Sequence, residues 1–84
     1  MLDYFAIANK ILQNSNNITT KSIDVTIAHS YKGDMEGLLV KHLGITPSHV
    51  NVVIALNDYD TSSDYNGETN IVLASSDIIS EYLG

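Results

Sequence analysis

Apolar residues at helical spacing predict three helices. A first helix is predicted over residues 2–14, where a stripe recurs every three or four positions: Leu2, Phe5, Ala8, Ile11 and Leu12. A second is predicted over 34–43, with Gly44 in the place of a left-handed C-terminal cap. A short final helix is predicted after Ser75 or Ser76, because either hydroxyl can cap a first turn.

Other apolar patterns predict three strands. Residues 22–29 alternate apolar and polar side chains, the period of a half-buried strand. A second strand is predicted from Val50 to Leu56, because residues 52–56 are apolar on both faces, which is typical of a central strand covered on both sides. Residues 71–74 form a third apolar run, and the polar residues 57–69 connect it to the second. Asn66-Gly67 in this connection favours a tight turn.

The element order predicts the fold class. The order is α-β-α-β-β-α, and we expect one α+β domain over residues 1–84, with a three-stranded mixed sheet packed by helices. The first two strands would be parallel through a right-handed crossover, since a helix joins them. The second and third would form an antiparallel hairpin with a long loop.

The negative charge lies entirely in the second half of the chain. The 84 residues carry ten acids against four lysines, for a net charge of -6. Residues 1–41 balance to zero, and residues 42–84 contain six acids and no Lys or Arg. Phosphate binding needs clustered basic residues, so we expect neither direct nucleic-acid binding nor attraction to anionic membranes. A basic protein partner or a homo- or hetero-oligomeric assembly suits this surface better.

Compartment and anchoring are predicted from what the sequence lacks. The chain contains no cysteine, so disulfides, thiolate metal sites and cysteine nucleophiles are excluded. No apolar stretch reaches the length of a membrane span, and the first residues lack the pattern of a secretory signal. We therefore expect an intracellular, cytoplasmic protein, or one within a particle assembled there.

The acidic loop 57–69 is the candidate partner-binding site. Tyrosine supplies contact area at a small entropic cost, and a long loop without secondary structure is often functional. The predicted partner-binding residues are Tyr59, Tyr65, Asp58, Asp60 and Asp64. If both tyrosines are surface contacts, replacing them with Ser should abolish binding without lowering the melting temperature.

No metal or cofactor is expected. With Gly67 at the sixth position of a calcium loop, the twelfth position is Leu73, where a bidentate Glu is required. The solvated-loop interpretation is therefore favoured over a cation site. The spacings of His29, His42 and His49 match no common zinc pattern.

The absence of a catalytic motif favours a non-catalytic function. The chain has no nucleophile elbow, Walker loop or metalloprotease helix. The leading hypothesis is a protein-binding structural subunit of a larger assembly. A composition poor in lysine and rich in Asn, Ser and Thr would suit a phage particle or another viral protein complex. The alternatives are an acidic inhibitor that mimics nucleic acid at a basic enzyme site, and, less favoured, a small metal-dependent enzyme.

Overall fold

A small antiparallel sheet packs on one side of a group of short helices in this chain. A computed structural model describes residues 3–83. Its elements are α1 (Tyr4–Leu12), β1 (Ile18–Ser22), α2 (Val25–Ser30), α3 (Met35–Gly37, continued by the π-helical turn Leu38–His42), α4 (Val50–Leu56), β2 (Asn70–Ala74) and α5 (Ser76–Leu83). Short 3-10 turns cover Ser15–Asn17, Pro47–His49 and Ser62–Asp64. No helix within these residues has the length and apolar character needed to cross a membrane.

Helix α4 is the centre of the core. All of its residues except Asn51 are buried, and α1, α3 and β2 pack around it. The predicted strand over 50–56 is therefore wrong. A short run of Val, Ile and Leu fits a buried strand and a fully buried helix equally well, because both bury every side chain. Pro47 opens the turn that leads into α4, where its fixed φ angle suits a helix start.

The predicted strand over 22–29 is also wrong, because Asp24 begins a helix there. The Asp24 carboxylate accepts hydrogen bonds from the backbone N–H groups of Thr26 at 2.9 Å and Ile27 at 3.4 Å. These bonds satisfy donors that the first turn of α2 would otherwise leave free. The alternating residues 22–29 therefore include the end of β1 and all but the last residue of helix α2. The strand lies earlier, at Ile18–Ser22.

The sheet has two antiparallel strands within the described residues, so the predicted three-stranded mixed sheet is wrong. Its register runs from Ile18 opposite Ala74 to Ser22 opposite Asn70. One further bond, from the Ile23 N–H to the Thr69 carbonyl at 2.7 Å, extends the ladder. In residues 3–83, neither the parallel crossover nor the predicted hairpin is present. The broader α+β class is confirmed, as is the strand predicted over 71–74.

The three predicted helices are confirmed, and the ends expected at Gly44 and Ser75 are present. Asp3 caps α1 by accepting from the Ala6 N–H at 3.1 Å, whereas Leu2 of the predicted stripe lies outside the described residues. Gly44 follows α3 with a φ of +69°, a left-handed conformation that suits glycine. The Ser75 hydroxyl accepts from the Ile78 N–H at 3.2 Å at the start of α5.

The side chain of Asn57 fastens α4 to β2. Its Nδ2 donates to the carbonyls of Val53 at 2.8 Å and Val72 at 2.9 Å. Its Oδ1 accepts from the Val72 N–H at 2.7 Å. The carboxamide therefore pairs with both backbone groups of Val72, as the backbone of a neighbouring strand would. Asn57 covers the edge of β2 that faces away from β1.

We predict that Asn57→Ala lowers the free energy of unfolding by about 2–4 kcal/mol, because it leaves both partly buried backbone groups of Val72 without their partner. Chemical denaturation of the variant and the parent measures the loss. Asn51→Ala, an exposed change on the same helix, is the matched control and should have little effect. Equal losses in the two variants would contradict the role assigned to Asn57.

Candidate functional site

The acidic loop 57–69 is anchored to the rest of the protein at several points. The Ser62 hydroxyl accepts from the Glu36 N–H at 2.8 Å, which ties the loop to α3. The Tyr65 carbonyl accepts from the Gly33 N–H at 2.7 Å. Within the loop, the Asp64 carboxylate accepts from the Thr61 N–H at 3.1 Å. These bonds give the loop a defined shape.

Tyr65 belongs to the core. Its side chain is 1% exposed, and its hydroxyl donates to the Glu68 carbonyl at 2.6 Å. Burial and the nearby Glu68 carboxylate raise the pKa of the Tyr65 hydroxyl. A partner would therefore not reach this ring, and replacing Tyr65 with Ser would remove core packing. Partner binding by the remaining loop residues stays a prediction.

Glu68 holds the two tyrosines in place, a role that sequence reasoning missed. The Tyr59 hydroxyl donates to Glu68 Oε2 at 2.7 Å, and the Asn66 N–H donates to the same oxygen at 3.2 Å. The bond from Tyr59 lowers the pKa of the Glu68 carboxyl. Burial, then the bond to Glu68, raises the pKa of Tyr59 far above its usual value. The Tyr59 ring meets the Tyr65 ring edge-on, with centroids 6.2 Å apart.

The three predicted aspartates have different places in the loop. Asp58 is exposed and has a φ of +64°, a left-handed conformation that Asp tolerates, and it turns the chain away from the end of α4. Asp64 is exposed and caps the 3-10 turn. Asp60 is also exposed and lies next to Tyr59 at the rim of a cavity. Of the five predicted residues, only Tyr59 and Asp60 line that cavity.

This acidic cavity has a volume of about 350 Å³ and lies between the start of α1, α4 and the loop. It is lined by Asp3, Tyr4, Phe5, Asn51, Ile54, Ala55, Tyr59 and Asp60. Three aromatic residues and two acidic residues therefore border one space. One oxygen of Asp3 is engaged in capping α1, and the Asp60 side chain is exposed. Aromatic faces and carboxylates both attract cations, so the chemistry suits a positively charged group.

The histidines do not form a shared site. His49 is 6% exposed, and its Nε2 lies 3.2 Å from the Ser80 hydroxyl, which gives the buried ring a polar partner. His29 and His42 are exposed. Within residues 3–83, no three His, Asp or Glu side chains converge as metal ligands would.

Comparisons with protein-family models, with curated proteins and with solved structures give no match to this chain.

Two substitutions at position 65 test whether the tyrosine is a core residue. We expect Tyr65→Phe to cost about 1 kcal/mol, the usual value of one hydrogen bond. Tyr65→Ser should cost about 3–5 kcal/mol, because it leaves a cavity where the ring was. Denaturant unfolding monitored by far-UV circular dichroism measures both. An unchanged melting temperature for Tyr65→Ser would show instead that the ring is a surface contact.

The contribution of the Glu68 carboxylate should depend on pH. Its pKa is lower in the folded protein than in the unfolded chain, so its stabilisation is fully present above about pH 4.3, the usual unfolded value. The stabilisation is lost as the pH falls through the lowered pKa. The difference in unfolding free energy between the parent and Glu68→Gln should therefore shrink in acid. Glu81→Gln removes the same charge from α5 and should change stability little at neutral pH; an equal effect would contradict this role.

Proposed function

We propose that this protein is a non-catalytic protein-binding subunit whose acidic cavity receives a basic side chain of its partner. The observation that carries the proposal is the cavity itself, which places Tyr59 and Asp60 beside Asp3, Tyr4 and Phe5. Residues from two distant parts of the chain thus supply aromatic walls and negative charge to the same space. Lysine and arginine are the protein groups that such a space attracts.

The charge distribution supports a basic partner. The whole net charge of -6 arises in residues 42–84, which contain no Lys or Arg. None of the side chains that line the cavity is basic, so no lining residue offsets Asp3 and Asp60. A cation that enters would therefore lie near two acidic residues and no basic lining residue.

The aromatic wall of the cavity is fixed before a partner arrives. The bond from Tyr59 to Glu68 and the edge-on contact with Tyr65 hold the Tyr59 ring in one orientation. A wall that is already ordered loses less conformational entropy on binding. This favours recognition of a side chain over nonspecific attraction of ions.

In cellular terms, we propose a subunit of a larger intracellular complex, such as a phage particle. The rival proposal is an acidic inhibitor that occupies a nucleic-acid site on an enzyme. The exposed acids Asp58, Asp60 and Asp64 support it, because they share one loop. The two proposals differ in the salt dependence of binding. An inhibitor that mimics nucleic acid should lose nearly all of its affinity in added salt. A subunit that binds a basic side chain in the aromatic cavity should retain part of its affinity.

The experiment is titration of an arginine-rich peptide into isotopically labelled protein, followed by backbone amide NMR shifts. We expect shifts to concentrate around the acidic cavity. Asp60→Asn and Tyr59→Leu should each weaken binding by about three- to tenfold, since a surface charge pair or a cation–aromatic contact contributes modestly.

Glu81→Gln is the matched control, because it removes one charge from α5 and does not line the cavity. Its affinity for the peptide should match that of the parent. Equal weakening by Glu81→Gln and Asp60→Asn would show that only net charge attracts the peptide. Unchanged affinity in both cavity variants would overturn the proposed site.

A further inference from the structure

Strand β1 has an outer edge that the rest of the described chain leaves open. The strand pairs with β2 on one side only. Its residues from Thr19 to Ser22 are all exposed. A strand edge of this kind presents unpaired N–H and C=O groups in a row, which is the template for adding another strand.

The register identifies which groups face outward. In an antiparallel ladder, hydrogen-bonded pairs alternate with pairs whose backbone groups point away from each other. The Ile23 N–H bonds to the Thr69 carbonyl, so these two residues form a hydrogen-bonded pair. Both backbone groups of Val72 bond to Asn57, so they point away from β1, and Thr20 and Val72 form a pair of the other kind. Thr20 and Ser22 therefore direct their N–H and C=O groups away from β2. Within residues 3–83, no hydrogen bond reaches these four groups.

The outer edge of β1 is complementary to itself. If two copies pair antiparallel about Thr20, each Thr20 exchanges two hydrogen bonds with its counterpart, and each Ser22 N–H meets the opposing Ile18 carbonyl. The Ile18 N–H takes no part, because it donates to Ser15. Lys21 lies opposite Thr19, so no like charges face each other directly. The Thr20 pair also places two β-branched side chains side by side, a favourable cross-strand contact.

Charge and surface chemistry favour a second copy over a different partner strand. Residues 18–22 contain Lys21 and no acid, so no acidic side chain of one strand faces its copy across the contact. Recognition of a foreign strand relies on side-chain pockets for alternate residues. Thr19, Thr20 and Lys21 are exposed and line none of the protein's described cavities. The outer edge of β1 therefore offers backbone hydrogen bonds in a register that suits a second copy of the same strand.

We propose that two copies of this chain pair through the outer edges of β1, forming one four-stranded sheet across a twofold axis. Two strands are a marginal sheet on their own, and the pairing doubles their number. The contact is separate from the acidic cavity, so the two proposals can fail independently.

Cysteine cross-linking tests the register, since the natural chain contains no cysteine. In the proposed dimer, Thr20→Cys faces its own counterpart within the distance that a disulfide spans, whereas Ser22→Cys faces Ile18 and lies far from its counterpart. Under mild oxidation, Thr20→Cys should form the covalent dimer roughly tenfold faster than Ser22→Cys, because pairing raises the local thiol concentration. Equal rates in the two variants would overturn the register.

Light scattering across a concentration series tests the association itself. The parent should be dimeric at both low and high salt, because backbone hydrogen bonds carry the contact. Thr20→Pro removes an outward N–H and no bond to β2, so it should raise the dimer dissociation constant by roughly tenfold or more. Thr20→Val keeps the backbone groups and should remain dimeric. A monomeric parent at all concentrations, or a folded Thr20→Pro that stays dimeric, would overturn the proposal; if Thr20→Pro fails to fold, the cysteine pair decides.

Discussion

Helix α4 sets the constraint that the rest of the structure satisfies. Nearly all of its side chains are apolar and buried, so it must be covered on every side except that of the exposed Asn51. Helix α1, helix α3 and strand β2 provide this cover, and the Asn57 side chain holds β2 against the end of the helix. A chain of 84 residues has little apolar surface to spare. Placing one apolar helix at the centre lets each surrounding element contribute a single face.

The elements predicted correctly from the sequence are those whose hydrophobic pattern fits only one kind of secondary structure. A stripe at helical spacing with recognisable ends identifies α1, α3 and α5, and the run 71–74 identifies β2. Residues 52–56 have no polar position, so neither period can be read from them, and their apolar character on both faces favoured the wrong element. Around Asp24, alternation over a few residues resembles a strand, although the carboxylate caps a helix. Both errors occur where an element is too short to show its period.

The candidate site was only partly visible in the sequence. The polar loop identifies Tyr59 and Asp60 as candidate functional residues, because they lie outside the apolar runs that predict the core. The contribution of Asp3, Tyr4 and Phe5 depends on how α1 packs against α4, which no local pattern records. Tyr59 and Tyr65 were both predicted to contact a partner, but Tyr65 is buried and its ring supports that of Tyr59 from inside the core. Glu68 could be counted among the acids, although its place between the tyrosines depends on the path of the loop.

The hydrogen bonds between the Asn57 side chain and Val72 also bear on the order in which the protein folds. These bonds join positions 15 residues apart, whereas the paired residues of β1 and β2 are much farther apart in the sequence. Closing the shorter loop costs less entropy, so β2 can dock on α4 before β1 arrives. Within the described residues of one chain, β1 pairs with a single neighbouring strand. We therefore expect the amide protons of β1 to exchange with solvent through a local opening that leaves α4 intact.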